Sequence, residues 1–219
     1  AIAGAAGLDD WRAGVLPEPE TVVLPIGSGG SVAGLLLGLR LAGLRSRVLG
    51  VIVTDILPPS PSRLARAARA TLRLLRRADP SVPKLALGPA DFPVTGDQLG
   101  PGYGAPTPAA LEAVRRAGEL GIRLETTYTG KALAEILARL SRGTLGSGPT
   151  LFWDTYNGVD VAKVAPRRVE DSDLPPGILR ALARAARRAA GMGPVPLEPK
   201  VPAPAAPPRA STRRCLLRL

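Results

Sequence analysis

The chain contains no histidine, a single cysteine and only seven aromatic residues in 219. Without histidine there are no Ser-His-Asp or Cys-His nucleophile pairs, no His metal ligands and no ordinary general base near neutral pH. One cysteine, Cys215, excludes an internal disulfide framework and a multi-cysteine zinc site, which suits a reducing cytoplasm. It stands fifth from the end, outside a prenylation box. Long hydrophobic runs are lacking as well. The most apolar one, Val32 to Leu39, stops at Arg40, far short of a membrane span, so a soluble cytoplasmic protein without membrane contact is expected. Any chemistry must use Lys, Tyr, Ser, Thr, Asp, Glu or a cofactor.

Acidic residues are also scarce, 18 against 29 basic ones, for a net charge of +11. Most of the excess lies late: from Arg180 onward there are nine basic residues and one acid, Glu198, or +8. Seven of the fifteen residues from Pro194 to Pro208 are proline, so 191–219 is expected to be a disordered Pro/Arg-rich tail. No aromatics interleave the basic residues, and Arg outnumbers Lys 25 to 4, which reads as codon bias; no nucleic-acid partner is expected. In the run Pro61 to Arg77, 100° spacing puts Arg63, Arg66, Arg69, Arg73, Arg76 and Arg77 on one arc. Leu64, Ala67, Ala68, Leu72, Leu74 and Leu75 take the other, as in a surface helix with a solvated face.

What remains is 45% apolar, enough for a core. Thr21 to Ile26 reads as a buried strand, Gly27-Ser28-Gly29-Gly30-Ser31 as a glycine loop, and the Leu/Ala/Gly stretch to about Leu44 as a helix. Arg47 to Thr54 is a second continuous apolar strand, which after a crossover helix implies a parallel sheet covered on both faces. The expected class is α/β, a three-layer α/β/α arrangement with a mostly parallel sheet. Further helices are expected over 61–78, 107–121 and 131–142, with 85–98 irregular or a short strand and a last strand starting at Thr150. A final amphipathic helix opens at Asp173, Pro175 and Pro176 and runs to about Ala190.

A glycine-rich turn between strand and helix aims backbone N–H groups and the positive end of the helix dipole at one spot, which makes a phosphate site. Gly27 to Ser31 has that form. It lacks the third glycine of the dinucleotide fingerprint, whose place is taken by Val32, and the Lys-Ser/Thr pair of a Walker loop. A nucleotide-binding reading that uses Asp55 after the second strand is accordingly disfavoured.

Three further stretches add to the loop: Gly102-Tyr103-Gly104-Ala105-Pro106-Thr107-Pro108, Tyr128-Thr129-Gly130-Lys131, and Phe152-Trp153-Asp154-Thr155. Together, and in this order, they resemble the pyridoxal-phosphate (PLP) enzymes of the D-cysteine desulfhydrase and 1-aminocyclopropane-1-carboxylate (ACC) deaminase family, which have a tryptophan-synthase β-like fold. The resemblance runs from about Thr21 to Asn157. It implies pyridoxal 5'-phosphate as cofactor, with Gly27, Ser28, Gly29, Gly30 and Ser31 around its phosphate and Tyr103 and Tyr128 on the reacting face. Thr129 stands where deaminases carry Glu, which tilts the reading toward desulfhydrase-like β-elimination, and it joins the cofactor-binding set. Thr155 is the candidate hydroxyl for the pyridine nitrogen, although Asp154-Thr155-Tyr156-Asn157 departs from the family's His-Thr-Gly-Gly. A small amino-acid substrate and a homodimer in the complete enzyme follow from the same resemblance.

The Schiff-base lysine of such an enzyme has no counterpart among Lys84, Lys131, Lys163 and Lys200; Lys131, at a helix start, reads as structural. Together with the abrupt Ala1-Ile2-Ala3 start, this leads us to expect the C-terminal part of a longer enzyme, with little or no turnover by itself and poor solubility from exposed sheet edges. Residues 1–16 would then be the remnant of an upstream helix and 17–190 the phosphate-binding α/β domain. The alternative is a non-catalytic protein of the same fold that binds a phosphorylated ligand, or a partner through its basic tail.

Overall fold

The computed structural model describes residues 17–56, 58–157, 159 and 170–190. The expectations for 1–16 and for the 191–219 tail fall outside them. The described residues divide into two units, one ending at Tyr156 and the other starting at Asn157.

The first unit is built on a parallel four-stranded sheet of order β3-β2-β1-β4, with β1 at Thr21–Ile26, β2 at Arg47–Ile52, β3 at Val94–Thr95 and β4 at Thr150–Phe152. Helix α1 (Gly30–Leu41) links β1 to β2, and α2 (Pro61–Ala78) follows β2. Helices α3 (Pro108–Glu119) and α4 (Thr129–Ser141) lie between β3 and β4. Period-two alternation sorts the strand residues. Val22, Leu24, Ile26 and Val48 pack with α1 and α2, while Val23, Leu49 and Val51 pack with α3 and α4. The expected three-layer α/β/α class is therefore the observed one.

Two residues that weaken strands are placed where they cost little. Pro25 lacks an N–H, yet lies in a fully buried central strand. Thr21 N–H and Val23 C=O both reach toward β4, so position 25 faces the same way. The β4 ladder stops at Val23↔Phe152, so no bond is lost at Pro25. Gly50, in the middle of β2, is required by packing: a Cβ there would fall 1.9 Å from Ile26 Cδ1. Its bareness lets Ile26 and Val32 close the core under α1.

Helix α2 starts at Ser60, whose hydroxyl accepts from Arg63 N–H at 3.3 Å, with Pro61 in the first turn. It buries Leu64, Ala65, Ala68 and Leu72. Two positions expected on that face, Ala67 and Leu74, are exposed instead, Leu74 by 65%. At 100° per residue both fall beside Arg63 and Arg77 rather than beside Leu72, and the actual stripe is completed by Ala65. Helix α3 opens on Thr107, whose hydroxyl accepts from Ala110 N–H at 3.1 Å. It crosses α4 closely at Gly130, where a Cβ would lie 2.8 Å from Val114 Cγ2 and 3.2 Å from Ala110 O. Segment 85–98 holds only the short turn Pro89–Asp91 and the two-residue β3.

In the second unit, α5 (Pro176–Ala190) follows the turn Asp171–Asp173, and Pro175 C=O accepts from Ile178 and Leu179 N–H. Among the described residues no helix is long and apolar enough to cross a membrane, and no group of three His, Cys, Asp or Glu side chains could hold a metal.

Candidate active site

Ligands of parallel α/β sheets gather outside the C-terminal ends of the strands. Here that edge carries Gly27–Ser31 after β1, Asp55 after β2, and Trp153 to Tyr156 after β4. Gly29 has φ +92°, a left-handed conformation that caps α1, and a Cβ there would strike Leu64 Cδ2 at 2.4 Å. The first helical N–H to find a partner is that of Ala33, which donates to Gly29 C=O at 3.0 Å. The amides of Gly30, Ser31 and Val32 therefore have no intrahelical acceptor, and they sit at the positive end of the α1 dipole. Ser28, Gly30 and Ser31 are exposed and Gly27 is half-buried. The loop offers amides and hydroxyls but no cation, a donor set suited to a phosphate.

Tyr128 leans over the head of this loop: a Cβ on Gly27 would meet its Cε1 at 3.4 Å and its hydroxyl at 3.7 Å. The hydroxyls of Tyr103 and Tyr128 are 2.9 Å apart and share one hydrogen bond, with the rings edge to face at 5.9 Å. The bond from Tyr103, burial, and the nearby Tyr103 and Glu125 push Tyr128 up to about 12. The structure thus brings together Gly27 and the two tyrosines, 25 residues apart in sequence.

A carboxylate that the sequence reading did not single out sets the angle of Tyr128. Tyr128 is the N-cap of α4 but makes no capping bond with its own side chain. Glu125 caps instead, accepting from the amides of Thr127 at 2.6 Å, Tyr128 at 2.8 Å and Thr129 at 2.7 Å. These are charge-assisted bonds at a helix N-terminus. Thr129 returns the contact: its hydroxyl accepts from Glu125 N–H at 3.0 Å. Thr129 is only 1% exposed, so its hydroxyl lies within the cap rather than in the open cleft. The sequence signal was an acid four residues ahead of the helix, Glu125 before Thr129.

The first two turns of α4 are buried all round, Lys131 and Glu135 included. Lys131 Nζ donates to the carbonyls of Leu99 at 2.8 Å and Gly102 at 3.2 Å, and burial lowers its pKa against the pull of Asp55 and Glu125. Glu135 accepts from Gln98 Nε2 at 3.1 Å and from Arg139 Nε at 2.7 Å. One face of one helix therefore fixes the segment that leads into Tyr103.

Thr155 is exposed at the end of β4, beyond Trp153, whose N–H continues the ladder to Val23 C=O at 2.9 Å. It shares the loop's edge of the sheet. Beside it, burial raises the Asp154 carboxyl against the opposing pull of the Tyr156 N–H, which donates to it at 2.9 Å.

Residues 5–155 match the family described as pyridoxal-phosphate dependent enzyme. Among curated relatives, the D-cysteine desulfhydrase of Salmonella paratyphi B (strain ATCC BAA-1250 / SPB7) is 34% identical over 139 residues, which make up 62% of this chain and 39% of that protein. That of Yersinia enterocolitica serotype O:8 is 33% identical over 138 residues, 62% of this chain and 39% of its own. That of Klebsiella pneumoniae (strain 342) is 31% identical over 143 residues, 63% and 40%. The chain thus spans about two-fifths of the length of these relatives. A crystal structure described as an ACC deaminase homologue has the same fold, with a TM-score of 0.52 at 21% identity over 69% of this chain and 43% of that one. With a strand–glycine loop–helix unit at its centre and a family match over more than half its length, the chain belongs to the pyridoxal-phosphate-dependent enzymes.

Proposed function

We propose that the chain is the phosphate-binding, tyrosine-bearing part of a PLP-dependent lyase acting on a small amino acid, by β-elimination of the D-cysteine desulfhydrase kind. The observation that carries this reading is the Tyr103–Tyr128 hydroxyl pair, 2.9 Å apart, beside Gly27 at the head of the loop. When bound, the cofactor supplies an electron sink for a carbanion at the α-carbon of the amino acid. The amides of Gly30 to Val32 and the hydroxyls of Ser28 and Ser31 hold its phosphate. Thr155 offers a neutral hydroxyl to the pyridine nitrogen. Thr129 serves the site through the cap it forms with Glu125.

Tyr128 keeps its proton to about 12 and so is an acid at neutral pH. Two hydroxyls joined by one hydrogen bond use one proton between them and leave the other pointing outward, so the pair presents a single donor. In β-elimination the α-proton would pass to the lysine amine of the complete enzyme, a Cα–Cβ double bond forms, and the C–S bond breaks with its electron pair on sulfur; this donor gives the sulfur its proton, and solvent then re-protonates the tyrosine. Ring opening of the ACC deaminase kind, with release of ammonia, would draw on the same donor. The threonine at 129, in place of the deaminases' glutamate, favours the first.

One observation favours the non-catalytic alternative for this chain alone. The described residues include two lysines: Lys131 is buried on two carbonyls, and Lys84 follows the C-terminal end of α2, whose start packs on Gly29. Neither amine is presented at the phosphate loop. The test is a titration of the 219-residue chain with pyridoxal 5'-phosphate and with pyridoxal. Binding at least about tenfold tighter for the phosphorylated compound, abolished in Gly29→Val, is the expected result; equal affinity would overturn the cradle. D-cysteine added to the loaded chain should give no sulfide above free cofactor, and turnover would overturn the expected inactivity. A salt-sensitive partner lost on deletion of 191–219 would favour the binding-protein alternative.

A further inference from the structure

The turn that carries Tyr103 is held by opposite charges at the two ends of one peptide unit. In a trans peptide the C=O and the N–H point in opposite directions. At the Gly102–Tyr103 bond, the Gly102 carbonyl accepts from Lys131 Nζ at 3.2 Å, and the Tyr103 N–H donates to Asp55 Oδ1 at 3.0 Å. A buried ammonium on α4 and an exposed carboxylate beyond β2 thus bracket a single peptide dipole, each at the end it stabilises. Lys131 also takes Leu99 C=O at 2.8 Å, so the turn is held from the α4 side at two points.

Position 102 is shaped for this contact. Gly102 has φ +138°, and a Cβ there would come within 2.9 Å of Asp55 Oδ2. Turning the Gly102–Tyr103 peptide over rotates ψ of residue 102 and φ of residue 103, and glycine, having no Cβ, leaves the rotation at residue 102 open. Turning this one over would point the carbonyl at Asp55 and the N–H at Lys131, reversing both attractions. The direction of the peptide in turn decides where the Tyr103 side chain leaves the backbone.

We propose that Asp55 and Lys131 are positioning residues that lock the Gly102–Tyr103 peptide in one direction, and thereby hold the Tyr103 hydroxyl on that of Tyr128. This deepens the functional reading given above, because it explains how the hydroxyl pair is kept assembled. It is tested without the cofactor and without activity.

The experiment is an ultraviolet tyrosinate titration of the 219-residue chain and of Asp55→Ala and Asp55→Asn, with circular dichroism at each pH to follow folding. In the parent, one late-titrating tyrosine, Tyr128, is expected at about 12. Asp55→Ala frees the peptide and should move that tyrosine part of the way toward its ordinary value of about 10, a gain in acid dissociation of at most roughly a hundredfold, because burial and Glu125 still act on it. Asp55→Asn keeps an oxygen acceptor for the Tyr103 N–H and should leave it late. An unchanged late tyrosine in folded Asp55→Ala, or an equal shift in both variants, would overturn the proposal.

If the alanine variant fails to fold, the parent protein decides by NMR. The Tyr103 amide should exchange with solvent more slowly than the other exposed amides of its turn, and exchange as fast as theirs would overturn the proposal. A chain that keeps its late tyrosine but does not distinguish pyridoxal phosphate from pyridoxal overturns the functional reading and leaves the lock standing.

Discussion

Tyr128 holds its proton because Tyr103, burial and nearby negative charge all disfavour the phenolate. The consequence for stability has a definite sign. The unfolded chain gives up this proton near pH 10, the folded one near 12, so between these values the folded state binds the proton more tightly. The stabilisation is fully present below pH 10 and is lost as pH rises to about 12. Urea unfolding of the parent at pH 9, 10 and 11 should show a falling midpoint, and Tyr103→Phe, which removes the hydrogen bond between the hydroxyls, should flatten that fall. A parent midpoint no steeper than that of Tyr103→Phe would show that the hydroxyl pair does not form. The two tyrosines were legible in the sequence from the short motifs around them. Glu125 and Asp55 were not legible as partners, because each acts on backbone amides, and a backbone amide has no letter in the sequence.

At the scale of elements, α2 is the clearest case of a pattern that sequence fixes only in outline. Its arginine face and its caps follow from composition and spacing, but the edge of the buried arc is set by what lies opposite. Leu64 is 2% exposed and its Cδ2 occupies the space a side chain at Gly29 would need, so α2 supports the glycine loop directly. Leu74, 65% exposed, supports nothing. Leu64→Ala should cost about 2–5 kcal/mol in urea melts and weaken the discrimination between pyridoxal phosphate and pyridoxal. Leu74→Ala should stay within about 0.5 kcal/mol and leave that discrimination unchanged. Equal costs for the two would mean that Leu64 and Leu74 are equally buried. Helix α4 makes the complementary point. Periodicity places its start at Lys131, whereas it begins at Thr129, because the Glu125 cap extends the helix to the residue that follows Tyr128.

At the scale of the first unit, β1 is flanked by strands on both sides and by helices on both faces, and Val22 to Leu24 are 0–1% exposed. β3 is two residues long and lies at one end of the strand order. Amide exchange should accordingly be slowest in Val22 to Leu24 and on the facing part of β2, and fastest among the strands at Val94 and Thr95. Equal protection of β3 and β1 would mean that the sheet continues past β3.

By itself the sequence determined the α/β class, the strand–glycine loop–helix unit and the residue types of the site, because these depend on local spacing, glycine and proline placement, and short motifs that survive in linear order. It also determined that these 219 residues themselves offer no histidine and one cysteine. Only the tertiary structure decided that Tyr128 lies over Gly27 and meets Tyr103, that Thr129 turns into a cap, and that Lys131 and Asp55 share one peptide. Apart from the Thr129–Glu125 cap, which spans four positions, those contacts join residues 25 to 101 positions apart, and their strength depends on burial and direction. A pattern of letters carries neither quantity.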